Sequence, residues 1–135
     1  MSGRNIQVNY VFDWLPLGVA NVVKGGILVD RLTAIMLVVV TLVSFLVHLF
    51  SVGYMKDDVR YGRYYCGLLL FTTSMLGLVL ANNLVYLYIF WELVGLSSYL
   101  LIGHWFEKKS ASDAAIKAFI TTRLGDVGMF IGLMI

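Results

Sequence analysis

The sequence predicts an all-α, polytopic membrane helix bundle of about four transmembrane helices, preceded by a short extramembrane hairpin-like segment. Three observations predict it. The chain is 60% hydrophobic and 13% charged over 135 residues, whereas a soluble domain is nearer half apolar and a quarter charged. Its mean hydropathy is +0.86. Its apolar residues also fall in runs as long as a bilayer is thick. Leu32–Phe50, Tyr64–Ala81, Leu84–Phe106 and Ala114–Ile135 hold 19, 18, 23 and 22 residues. A helix rising about 1.5 Å per residue needs roughly 20 residues to cross a hydrocarbon core of about 30 Å.

The first 31 residues are expected outside the membrane. The pieces "VNYVFDWLPLG" and "KGGILVD" are short, apolar and punctuated by Pro16, Gly18 and the Gly25-Gly26 pair. That punctuation suits the two strands of a hairpin. A partly interfacial segment with Trp14 at the headgroups is the alternative. The stretch lacks the short apolar core and small-residue cleavage site of a signal peptide. The region 32–135 is then one helical unit, with helices expected at about 32–54, 64–81, 84–106 and 112–135. The last is the most polar, because it carries Lys117, Arg123 and Asp126.

Orientation follows from the basic residues. Lys56, Arg60, Arg63, Lys108 and Lys109 lie in two loops on one side, five against Arg4, Lys24 and Arg31 on the other. This bias places loops 51–63 and 107–113 inside and the N-terminal segment outside. The net charge of +2 gives no nucleic-acid footprint. The single Cys66 excludes an internal disulfide and a paired-cysteine metal site, and in an apolar run it is expected to be an inert packing residue.

Against this background Glu92 stands out. It lies three residues, about 4.5 Å of helix rise, from the midpoint of 84–106. A charge there costs at least about 2.5–3.5 kcal/mol, so such groups face a bundle interior or a wet path. Tyr88, Glu92, Gly95 and Tyr99 are spaced by 4, 3 and 4, one narrow stripe of a helix. Phe90, Leu93, Val94 and Leu101 face away from it, toward lipid or other helices. Burial favours the protonated acid and a nearby cation the ionised one. A glutamate moved between two such environments takes up and releases a proton. The structural alternative is a protonated Glu92 that only hydrogen-bonds a neighbouring helix.

In "DAAIKAFITTRLGDVG", Arg123 and Asp126 are three apart and can meet on one face, as an ion pair that locks the helix or as part of a charge network. Lys117 lies about 180° from Asp126 and is expected to snorkel to the interface. Thr72, Thr73, Ser74, Ser97 and Ser98 are expected to bond preceding-turn carbonyls or neighbouring helices, and Gly77, Gly95 and Gly128 to permit close helix contact. His48 and His104 lie near helix ends, where a satisfied polar tip is expected. No phosphate loop, activated nucleophile, haem motif or iron–sulfur motif occurs, so the chain is expected to perform no covalent chemistry and to hold no metal or cofactor itself.

The strings "FWELVGLSSYLLIGHWF" and "AIKAFITTRLGDVG", with the lead-in "ILVDRLTAIMLVVVTLVSFLVHLFSVGYM", closely resemble the antiporter-like L chain of respiratory NADH:quinone oxidoreductase (complex I), called subunit 5 in mitochondria. The resemblance runs from about Val11 to the last residue and covers an N-terminal portion of the family. It implies a proton-translocating membrane subunit that responds to quinone reduction elsewhere in the complex. It implies Glu92 as the proton-pathway residue, with Arg123 and Asp126 in a supporting charge network. NADH, FMN, iron–sulfur clusters and quinone are expected on other subunits. The expected partners are other complex I membrane subunits, including antiporter-like paralogues, and the lipid bilayer.

Family members have more than a dozen helices. Two helices before the hairpin, and the later helices that supply the partner lysine of Glu92, are therefore expected from a truncated or split chain. A bacterial inner membrane is expected ahead of the mitochondrial inner membrane. The A-type chain of a multi-subunit sodium/proton antiporter shares "WEL…SSYLLIG" and is the rival within transport, although "ITTRLGDVG" favours complex I. Membrane subunits of related hydrogenases are less favoured again, and a photosynthetic NDH chain stays open. A non-transporting structural fragment or gene remnant is the rival from another class.

Overall fold

A computed structural model describes residues 7–16 and 22–135. Among them the order is β1 (Val8–Pro16), β2 (Val22–Val29), α1 (Arg31–Tyr54), α2 (Tyr61–Leu80), α3 (Leu84–Ile102) and α4 (Lys109–Met134). The turn expected around Gly18 lies outside the described residues, as does Arg4.

The hairpin forms. β1 and β2 pair antiparallel, Val8 opposite Val29 and Phe12 opposite Gly25, with a register irregularity between Asp13 and Leu15. Gly25 and Gly26 fall inside β2 and are buried. A Cβ on Gly26 would collide with the Tyr10 carbonyl and the Asn82 amide, and one on Gly25 with the Tyr86 ring. The glycine pair thus lets the sheet lie close against the start of α3. Ile27 bridges Ala81, the Asn83 amide donates to the Lys24 carbonyl, and Trp14 meets Tyr86 edge-on with centroids 5.1 Å apart.

Each helix boundary has a local cause. Asp30 caps α1 by accepting the Thr33 amide at 2.7 Å, and Asn83 caps α3 by accepting the Tyr86 amide at 2.7 Å, the side-chain oxygens that a helix start favours. α3 stops at Ile102 and not at Phe106 as expected. His104 and Trp105 leave the helix because both bond one carboxylate oxygen of Asp58, from Nε2 at 3.3 Å and Nε1 at 2.9 Å. α2 and α4 begin three residues earlier than expected, at Tyr61 and Lys109.

Helices pack in sequence order, with α3 between α2 and α4. Gly77 of α2 lies under the Phe90 ring, where a Cβ would overlap it, and Gly67 faces Leu101. Gly128, in contrast, has nothing within 4 Å of its Cβ position, so it makes no close helix contact among the described residues. Cys66, expected to pack, is exposed on α2 among the described residues.

The burial pattern is that of a membrane protein. Among the described residues the buried hydrophobics are Met55, Leu68 and Ala115, while Thr33, Ser51, Ser74, Ser97, His104 and Asp126 are buried polar or charged. Leu32, Phe45, Phe50 and Leu124 are exposed at 63–73%. In hydrocarbon there is no gain from hiding apolar surface, so polar groups and small residues collect between helices. α1, α2 and α3 are long and apolar enough to cross a bilayer. α4 is long enough at 26 residues but is interrupted by charge. It runs beside α3 from Phe119 against Tyr99 to Phe130 against Tyr88, and so occupies the same depth.

Candidate charge site between α3 and α4

The stripe read from the sequence is the face α3 turns to α4. Tyr88 meets Phe130 at 5.7 Å and Tyr99 meets Phe119 at 5.1 Å between ring centroids. Between them, Glu92 contacts Arg123, and Gly95 leaves room for the guanidinium: a Cβ there would lie 3.9 Å from Nη2. Phe90 and Leu101 face α2 instead. Because α3 ends at Ile102, Glu92 is one residue from the helix midpoint, about 1.5 Å in depth.

Arg123 is shared between two carboxylates. Its Nη1 contacts a Glu92 oxygen and lies 3.9 Å from Asp126 Oδ2, the i,i+3 pair expected from the sequence. Its Nη2 also donates to the Glu92 carbonyl at 3.4 Å, and the guanidinium stacks over Phe119 at 4.7 Å from the ring centre. The Glu92 and Asp126 side chains are 20% and 7% exposed. Asp126 is not left to Arg123 alone, because Trp91 Nε1 donates to its Oδ1 at 2.9 Å.

The structure thus brings all three predicted charges together and adds Trp91. Lys117 is exposed and stands apart from the cluster. Sequence spacing finds the Arg123–Asp126 pair because one helix carries both. The Glu92–Arg123 contact joins residues 31 apart, and no helical period encodes it. Among the described residues no group of three metal-type side chains occurs. Chemically, the cluster offers one fixed-charge cation, two acids able to exchange its company, and one neutral donor.

Residues 14–65 match the family described as "NADH-Ubiquinone oxidoreductase (complex I), chain 5 N-terminus". Residues 81–135, which contain the whole cluster, match "NADH:quinone oxidoreductase/Mrp antiporter, TM". The chain is 53% identical over 130 residues to the chloroplastic NAD(P)H-quinone oxidoreductase subunit 5 of Anthoceros angustus, covering 96% of this chain and 18% of that one. It is 51% identical over 127 residues to the chloroplastic subunit 5 of Mesostigma viride, 93% of this chain and 19% of that one. Chain 5 of the NAD(P)H-quinone oxidoreductase of Synechocystis sp. is 49% identical over 124 residues, 92% of this chain and 18% of its own length. The chain therefore spans under a fifth of the length of these relatives. On the two family matches and this identity across nearly all of its residues, the chain belongs to the antiporter-like subunit 5 family of NADH:quinone oxidoreductases.

Proposed function

We propose that the chain is part of the proton-translocating membrane subunit of an NAD(P)H:quinone oxidoreductase, with Glu92 as the proton carrier and Arg123 and Asp126 as the charges that load and unload it. The observation that supports this reading best is the position of Glu92, one residue from the α3 midpoint and in contact with a cation that a second acid shares. With Arg123 against Glu92, the carboxylate is the favoured form. When Arg123 shifts to Asp126, Glu92 is left unpaired at low dielectric and takes up a proton. Trp91 holds Asp126 in place to receive the guanidinium, so the shift is a side-chain exchange over a few ångströms. Return of Arg123 expels the proton. An arginine suits this switch, because a guanidinium keeps its charge and offers several donors.

In this reading, quinone reduction elsewhere in the complex moves the charges. Nicotinamide, flavin, iron–sulfur clusters and quinone sit on other subunits, and further membrane subunits of the antiporter-like type flank this chain. A bacterial-type energy-conserving membrane is the proposed location. The cyanobacterial relative supports it, while the chloroplastic relatives fit a photosynthetic membrane of an organelle.

The test places Glu92→Gln and Glu92→Ala in the chain within its assembled complex and reads NAD(P)H-driven proton pumping and quinone reduction in sealed vesicles. Loss of a positioned proton carrier is expected to lower pumping by about tenfold or more, with the complex still assembled. Wild-type pumping in both variants would leave Glu92 a packing group and overturn the proposal.

A further inference from the structure

Arg123 stands between two attractions on its own helix. Phe119 lies four residues before it and Asp126 three residues after it on α4, about 6 Å and about 4.5 Å along the axis. Long side chains on a helix lean back toward its N-terminus. Arg123 does so. Its guanidinium carbon lies 4.7 Å from the centre of the Phe119 ring, and its Nη1 stays 3.9 Å from Asp126 Oδ2, beyond hydrogen-bond reach. The same lean brings Nη1 to Glu92 and Nη2 within 3.4 Å of the Glu92 carbonyl. Contact with Phe119 and contact with Glu92 therefore belong to one position of the guanidinium, and Asp126 pulls toward another.

That pull is strong. Asp126 is the more buried of the two acids, and a less screened carboxylate attracts a cation more strongly. Against it stand the Glu92 carboxylate, one long hydrogen bond to a backbone carbonyl, and the ring face. Arg123 Nε is enclosed and has no hydrogen-bond partner among the described residues, so the guanidinium is not held through all five of its N–H donors. A ring face attracts a cation through its quadrupole and needs no directional bond. The guanidinium therefore leaves such a face without stranding a donor or an acceptor. The ring itself is fixed, because it meets Tyr99 of α3 at 5.1 Å between centroids. Tyr99 lies on the same stripe of α3 as Glu92, seven residues on.

We propose that Phe119 is a positioning residue of the Glu92 switch: its ring face, braced by Tyr99, keeps Arg123 on Glu92 against the pull of Asp126. The inference rests on the proton-carrier reading of Glu92 and adds what sets the resting state. With the face intact, Glu92 is paired and ionised at rest. With the face weakened, Arg123 spends more of its time at Asp126, and Glu92 already holds a proton when the charges move. The stroke that should load it then has nothing to load. The Glu92 carbonyl is backbone and both acids belong to the switch, so Phe119 is the one part of this balance that a side-chain change reaches without touching a charge.

The test uses the whole chain in its assembled complex. It reads the infrared C=O stretch of protonated Glu92 at a series of fixed pH values, the band being assigned by its loss in Glu92→Gln. Phe119 is replaced in turn by phenylalanine carrying one, two and three ring fluorines. These keep the shape of the ring and drain its face of negative charge step by step. The ratio of protonated to ionised Glu92 is expected to climb with each fluorine. Phe119→Leu, which has no face, is expected to raise that ratio about two- to thirty-fold, the range a cation–π contact is worth, and Phe119→Tyr to keep the wild-type ratio. A flat ratio across the fluorine series overturns the inference, and this series decides it even if Phe119→Leu fails to assemble. The two readings fail separately. Wild-type pumping in Glu92→Gln removes the proton carrier, whereas a band that ring fluorination does not move removes Phe119 alone.

Discussion

At the scale of single residues, the Glu92 cluster is held by a few charge-assisted contacts whose removal leaves specific groups stranded. Arg123→Ala strands two carboxylates in a span. Breaking a buried pair costs about 3–5 kcal/mol, and at mid-depth of a span, where water does not screen the pair, a loss in that range is expected. Unfolding in mixed detergent checks this, and Arg123→Lys is expected to recover only part, because an ammonium has no second nitrogen for the Glu92 carbonyl and no flat face for Phe119. Trp91→Phe keeps the ring and removes the donor to Asp126. The lost bond to an ionised acceptor is expected to cost about 1.5–3 kcal/mol in the same assay. Of these roles, the intrahelical Arg123–Asp126 pair was legible in spacing, and so was the stripe holding Glu92. Trp91 was not, because its tryptophan reads as one more apolar residue until α4 brings an acid to its nitrogen.

Among the elements, the glycines separate helix faces that touch from faces that do not. Gly77→Ala drives a methyl into the Phe90 ring, and overpacking of this kind costs about 1–3 kcal/mol. The ring belongs to a side chain that can be shortened, so Phe90→Leu in the same chain is expected to restore most of the α2–α3 stability. Gly128→Ala meets open space and gains helix propensity, so it is expected to be neutral or to stabilise by up to about 1 kcal/mol. Thermal unfolding of the three variants side by side checks the ordering. The existence and order of the helices followed from run length, and the sheet followed from its Pro and Gly punctuation. The helix ends did not, because they depend on tertiary partners. Composition alone extends α3 through the aromatic His104–Phe106 stretch, and only the approach of Asp58 from the other loop explains why the helix stops at Ile102.

Across the whole molecule, the two ends of the bundle are tied together differently, and this makes the tie between the two loops sensitive to pH. At the hairpin end the ties are neutral, through Asn82, Asn83, Tyr86 and the backbone of β2. At the opposite end loop 55–60 is fastened to loop 103–108 by Asp58, which accepts the Arg60 amide at 2.7 Å together with Trp105 and His104, and by the Arg60–Glu107 pair. The Arg60 amide does most to hold the Asp58 carboxyl below its ordinary range; burial opposes it, and the Trp105 and His104 donors add smaller lowering effects. A carboxyl whose pKa is lower folded than unfolded stabilises the folded form fully above its unfolded value, near 3.9, and loses that contribution as pH falls through the folded value. The loop tie is therefore expected to hold through neutral and mildly acid conditions and to release only below about pH 4. Amide hydrogen exchange is the measurement. Protection of the Arg60 amide is expected to fall in that acid window, and with it that of the Thr33 amide that Asp30 caps, while protection within the β1–β2 pairing stays flat. Asp58→Asn should lower the protection at all pH values and abolish the acid step, since an amide cannot be protonated there. An acid step that persists in Asp58→Asn would assign the release to Glu107 or to the helices themselves, and would remove Asp58 as the fastening between the loops.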